Sequence, residues 1–145
     1  MKEKDFQRMF GKYLVGRAIN ENAAYELKIE KSKRFAFDKV KEHQLKGLED
    51  AWWGLYHKIA DQTVGRDFKF GNSLKKPFDC LYLAGCRGYI VIWFYVPRKK
   101  KKCYIIELVQ FKKIVKNSDK KSIREEELHK LYEQGFAGID YVQFA

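Results

Sequence analysis

Ala23-Ala24-Tyr25-Glu26-Leu27-Lys28-Ile29 is the stretch on which the reading of this chain turns. Tyr25, Leu27 and Ile29 alternate with Ala24, Glu26 and Lys28, the period-two pattern of a half-buried strand. Successive side chains leave a strand on opposite faces, so Glu26 and Lys28 share one face while Leu27 enters the other layer. A carboxylate and an ammonium therefore meet on one sheet surface. A solvated ion pair uses the same letters. So does a site in which the carboxylate holds a divalent cation while the lysine orients water and offsets charge growing on a phosphate. The surroundings decide between the two.

Toward the N-terminus, Phe6, Met9, Phe10, Tyr13 and Leu14 recur at helical spacing, with Gly16 closing the helix and Asn20 to Asn22 forming a turn. Toward the C-terminus, the basic turn Lys31-Ser32-Lys33-Arg34 leads to Asp38, read as the N-cap of a helix carrying Val40, Gln44, Leu45, Leu48, Ala51 and Trp52 and stopping at Gly54. Leu55 to Ala60 reads as a short strand, followed by a basic loop punctuated by Gly65, Gly71, Asn72, Ser73 and Pro77. Phe78 to Leu83 and the apolar run Tyr89 to Val96 flank Gly85-Cys86-Arg87-Gly88 and read as an antiparallel hairpin, which Cys103 to Val109 extends. Ser122-Ile123-Arg124-Glu125 has capping-box spacing ahead of Leu128, Leu131, Tyr132 and Gly135. The sum is one α/β domain over residues 1–145, a mixed sheet flanked by helices, with 117–145 as a peripheral, acidic C-terminal helical extension.

At 145 residues, 46% of them hydrophobic and 16% aromatic, the chain can bury a core and is not of disordered composition. With 34% charged residues and a mean hydropathy of -0.55, it does not read as a membrane protein. Its longest apolar run falls far short of the ~20 residues a spanning helix needs. The opening MKEKDFQRMF has no apolar leader segment, so a cytoplasmic location is expected, that of a host cell if the chain is phage-encoded. Cys80, Cys86 and Cys103 form neither a C-x-x-C pair nor an even set and are expected to be reduced and structural.

The net charge is +11, yet residues from Asn117 onward carry four basic and six acidic side chains, so residues 1–116 hold +13. Such an excess points to a polyanion, most simply nucleic acid. Arg98-Lys99-Lys100-Lys101-Lys102 lies between two expected strands and can follow a phosphate backbone, with Arg34, Lys75 and Lys76 extending the surface. Trp52, Trp53, Trp93, Phe94 and Tyr95 sit in apolar patterns and are expected to pack in the core.

Ala24-Tyr25-Glu26-Leu27-Lys28, then Phe35-Ala36-Phe37, then Lys41-Glu42-His43-Gln44-Leu45, and finally Pro77-Phe78-Asp79 together resemble the PD-(D/E)XK nuclease superfamily. The resemblance is nearest to the branch of Holliday-junction resolvases and proteins once described as penicillin-binding-protein-related factor A. It spans residues 24 to 83, with a looser similarity through Tyr89 to Val96 and Cys103 to Phe111. It implies a restriction-endonuclease-like fold and Mg²⁺, with Mn²⁺ as a substitute, held by Asp79, Glu26 and the Leu27 carbonyl. It also implies Lys28 and Gln44 as catalytic partners, a nick leaving a 5′-phosphate, and a homodimer on four-way or other branched DNA.

One departure stands out. The family's aspartate precedes E-x-K, whereas Asp79 follows Glu26 by fifty-three residues, and the strand after Asp79 carries Val91-Ile92-Trp93-Phe94 where E-x-K is expected. A permuted motif rescues the comparison if Asp79 and Glu26 converge at neighbouring strand ends. Asp61 is the substitute for Asp79, which can also serve as a turn-stabilising acid. Glu3 and Asp5 read chiefly as helix-dipole partners. His43 is expected to face away from Gln44, and His57 and His129 offer no zinc triad. A restriction or repair endonuclease, or a noncatalytic nucleic-acid-binding protein on a nuclease-like scaffold, remains the alternative.

Overall fold

A computed structural model describes residues 2–16, 22–61 and 79–144, and at 15–16, 57–61 and 79–81 it is the backbone that is described. Four strands build the central sheet: β1 (Ala23–Glu30), β5 (Arg87–Phe94), β6 (Lys101–Glu107) and β8 (Ile139–Phe144). Their order is β1-β5-β6-β8; β1 runs parallel to β5, and β6 pairs antiparallel with both β5 and β8. The fold is thus mixed α/β, with a four-stranded mixed sheet flanked by helices.

β5 is central because both of its faces are apolar. Ile90, Ile92 and Phe94 enter one core with Leu48, Tyr104, Leu108, Phe111 and Leu128. Val91 and Trp93 enter the other with Phe6, Phe10, Cys103 and Ile105. Helix α1 (Glu3–Gly16) covers the second face. The first is covered by α2 (Glu42–Trp53), α3 (Leu108–Asn117) and α4 (Glu125–Glu133). A parallel pair needs a long crossover. The one from β1 to β5 contains β2 (Arg34–Ala36), a 3-10 turn at Phe37–Lys39, α2, β3 (Tyr56–Asp61) and β4 (Asp79–Leu83).

Several expectations are corrected here. Phe78 to Leu83 and Tyr89 to Val96 do not form a hairpin: β4 pairs with β3 in a separate two-stranded ribbon, and β5 pairs with β1 and β6. The connection is drawn away from a hairpin ladder by the Cys86 amide, which donates to Ala51 O at 2.8 Å, and the Arg87 amide, which donates to Asn22 O at 3.0 Å. Asp38 lies in the 3-10 turn and caps nothing; α2 begins after Lys41, whose amide donates to Gln44 Oε1 at 3.0 Å. The strand expected over Cys103 to Val109 stops at Glu107, because Leu108, Phe111 and Ile114 recur at helical spacing and cover the sheet as α3.

Residues 117–145 are not only a helical extension. Ser122–Arg124 form β7, which pairs with β2, and Ile139–Phe144 supply the sheet's fourth strand. The capping box there is built two residues later than expected, by the Arg124 amide donating to Glu127 Oε2 at 2.8 Å. Helix α4 is not peripheral, since Leu128 is fully buried in the core. Cys86 and Cys103 are buried free thiols, and burial pushes Cys103 up to about 12, which makes it inert as a nucleophile at neutral pH. Trp93 and Phe94 pack inside as expected, but Trp53 is 60% exposed.

Candidate active site

Glu26 and Lys28 do share one face of β1, the face covered by α2, while Tyr25, Leu27 and Ile29 pack toward α1. In the parallel register Glu26 lies beside Ile90 and Lys28 beside Ile92. Both side chains are part-buried, 25% and 18% exposed, and their ion pair spans 3.0 Å. Gln44 closes the set from the first turn of α2: its Nε2 donates to Glu26 Oε1 at 2.7 Å and its Oε1 accepts from Lys28 Nζ at 2.8 Å.

The same Gln44 oxygen accepts the Lys41 amide, so the helix cap fixes the side chain that bridges the pair. A hydrogen bond to a charged group contributes about 1.5–3 kcal/mol, and the bridge therefore holds both termini against rotation. The Lys28 and Gln44 contacts both fall on Glu26 Oε1. Lys28 is thus positioned as a fixed ammonium beside a carboxylate at the sheet surface, an arrangement able to bind a phosphate oxygen and to hold water.

Glu30 continues the face and was not singled out by the sequence, although E-x-K-x-E parity displays it. It is nearly fully buried and paired with Lys39, and accepts from the Ser32 amide and hydroxyl, both at 2.8 Å. Burial raises its carboxyl, but Lys39 and Ser32 outweigh that, leaving it below the usual range. Its full set of partners marks it as the holder of the turn after β1.

Asp79 opens β4, and its Cα partner is Asp61, so the two alternatives considered for the second acid occupy opposed positions at one end of the β3–β4 ribbon. A register shift between Ile59 and Asp61 marks that end. The ribbon packs against α2 and is not a neighbour of β1 in the central sheet, so the neighbouring-strand convergence that the permuted motif requires is not built by sheet pairing. The strand beside E-x-K is β5, with Leu27 opposite Val91. Among the described residues no group of three or more His, Cys, Asp or Glu converges as a metal site. Mg²⁺ needs fewer, one or two carboxylates with waters completing the shell, and of these Glu26 supplies one.

The basic run forms the tip between β5 and β6, with Arg98 at a φ of 61° in the left-handed region. Lys99, Lys100 and Lys102 line a cleft of about 860 Å³ together with Lys33, Arg34, Arg124, Lys130 and the acids Glu125, Glu126 and Glu133. Arg98 and Lys101 belong to the same tip, Arg34 donates to Ser122 Oγ at 3.0 Å, and Lys102 stands 3.9 Å from Glu125. Lys75 and Lys76 lie outside the described residues. His43 is exposed as expected, Glu3 and Asp5 occupy the first turn of α1, and His129 lines the cleft. Arg124 and Lys130, in the segment counted as acidic, are the lining residues that charge counting passed over.

No helix among the described residues is long and apolar enough to cross a membrane. No protein-family model, curated protein or solved structure matches the chain.

Proposed function

We propose that the chain is a metal-dependent endodeoxyribonuclease of restriction-endonuclease-like fold, acting on branched DNA as a Holliday-junction resolvase does. The observation that carries this reading is the closed set of Glu26, Lys28 and Gln44, joined at 2.7 to 3.0 Å across β1 and α2. A merely solvated ion pair would not recruit the capping glutamine of the crossover helix. Glu26, the Leu27 carbonyl and Asp79 would hold Mg²⁺ or Mn²⁺. When bound, the ion supplies Lewis-acid stabilisation of a phosphoryl oxygen and lowers the pKa of a coordinated water.

The chain's own residues do the rest. Lys28 holds the attacking water in line and offsets the charge on the phosphate, Gln44 fixes Lys28 and Glu26 in one orientation, and the basic tip binds the flanking backbone. A two-fold dimer places one such site on each of two opposing strands, as paired incision requires.

A second reading, a noncatalytic nucleic-acid binder on this scaffold, is favoured by the separation of β4 from β1 in the sheet. The deciding experiment incubates purified protein with labelled linear, single-stranded, forked and four-way DNA, with and without Mg²⁺. Mg²⁺-dependent nicking that favours the four-way substrate supports the resolvase; equal cutting of all duplexes by a monomer leaves a general nuclease; binding without cutting selects the second reading. Near-normal turnover by Asp79→Asn would move the second acid to Asp61.

A further inference from the structure

The β2–β7 ladder pairs Arg34 directly with Arg124. Like charges opposite one another in an antiparallel pair are destabilising, and these two stand on the lip of the cleft beneath the β5–β6 tip. Lys99, Lys100 and Lys102 descend from that tip and Lys130 rises from α4, so cations from four elements face one concavity. The β2–β7 pairing over buried Phe35 and Ile123 brings the two arginines together, but it does not dictate their charge: Arg34, Arg124 and Lys130 are all exposed, and uncharged polar side chains would serve the packing equally.

We propose that this cleft seats the phosphate backbone of a single nucleic-acid strand, with Arg34 and Arg124 straddling one phosphate and the tip lysines following the next. Two features select a single strand over a duplex. At about 860 Å³ the concavity is of the size that encloses a small ligand, whereas a duplex presents its phosphates on a convex surface. In addition, the same lining sets Glu125, Glu126 and Glu133 against seven lysines and arginines, a modest positive surplus that suits one backbone better than the two of a duplex. His129 lines the cleft too, but its ring is packed against Tyr104, Tyr132 and Tyr141, so the hold on the strand is by charge and not by stacking. The inference rests on the nucleic-acid reading above and assigns the strand running beyond the cut to a surface built partly from the C-terminal segment.

The test reads binding alone, by fluorescence anisotropy of a labelled single-stranded oligonucleotide and a duplex of equal length, without Mg²⁺. The variants are Arg124→Gln, Lys130→Gln, both together, and Lys12→Gln on α1, across the sheet, as a charge-matched control. The double variant is expected to bind the single strand about tenfold more weakly and to lower its salt slope by about 1 to 2, with less than about threefold loss on the duplex. Lys12→Gln is expected to change neither. Equal losses in the control and the cleft variants, a larger loss on duplex than on single strand, or absence of single-strand binding by the unaltered protein would each overturn the inference. Circular dichroism of each variant checks that the fold is retained, and Arg124→Lys, which keeps the charge, is expected to restore most of the affinity. Binding without Mg²⁺-dependent cutting would sink the nuclease reading and leave the cleft standing; cutting that survives with the cleft variants unaffected would do the reverse.

Discussion

At the β1–α2 site each charge meets a partner of opposite sign or a fixed dipole, whereas at the tip–α4 cleft Arg34 stands across from Arg124 and lysines crowd in from three sides. The first is self-satisfied and therefore rigid, a requirement for positioning reacting atoms. The second carries a surplus of positive charge, which the proposed strand would offset. The contrast teaches that, on the proposed reading, the placement of unbalanced charge, more than its density, separates a surface suited to chemistry from one suited to holding a strand.

The largest effect expected is on turnover at the satisfied site. Glu26→Gln and Lys28→Ala should each cut Mg²⁺-dependent nicking by about 10³-fold, while DNA affinity stays within about twofold. Their losses should not add, since both serve one reaction. If Lys28→Ala instead weakens binding and spares single-turnover cleavage, the two regions do the same job and the contrast breaks.

Gln44→Leu sharpens it further. The side chain touches Lys28 and Glu26 and is a positioning residue, so its removal should lower kcat about 10- to 100-fold with little change in KM, and Gln44→Glu should shift the pH profile without restoring the rate. Equal changes in kcat and stability would make it only a helix cap.

At the cleft, replacing Lys99, Lys100, Lys101 and Lys102 together by Ala should weaken DNA binding about tenfold and reduce the salt slope by about 3. Cleavage at saturating DNA should barely move. An unaltered slope would place the tip away from the backbone.

The smallest effect joins the two regions. Glu30 lies two residues past Lys28 on the same face and holds Ser32, whose hydroxyl oxygen in turn accepts from the Arg34 amide at 3.2 Å. Because Lys39 is 46% exposed, Glu30→Gln should cost only about 1 kcal/mol at pH 7. Its carboxyl sits below the ordinary range in the folded state, so the contribution is present above the unfolded value near 4.5 and is lost as pH falls through the depressed one. Urea melts of the variant and the unaltered protein should therefore converge in acid; a constant gap from pH 7 to pH 3 would show that packing rather than charge is at stake.

What the sequence alone determined is what adjacency and period can encode. The alternation from Tyr25 to Ile29 set β1 and the shared face of Glu26 and Lys28, and the helical spacing after Val40 brought Gln44 near them, since only sixteen residues separate it from Lys28. Phe6 to Leu14 announced α1 in the same way. Strand partners were not encoded at that range. An apolar run such as Ile90 to Phe94 states that both faces are buried but not by whom, so the parallel pairing with β1 was settled only by burial of the two cores. Likewise, counting charge along the chain made residues 117–145 an acidic tail. Folding turned Arg124 toward Arg34, ninety residues away, because β7 had to close the ladder with β2 over the buried Phe35 and Ile123. Backbone pairing and the burial of two apolar side chains, not the preference of either arginine, decided that encounter.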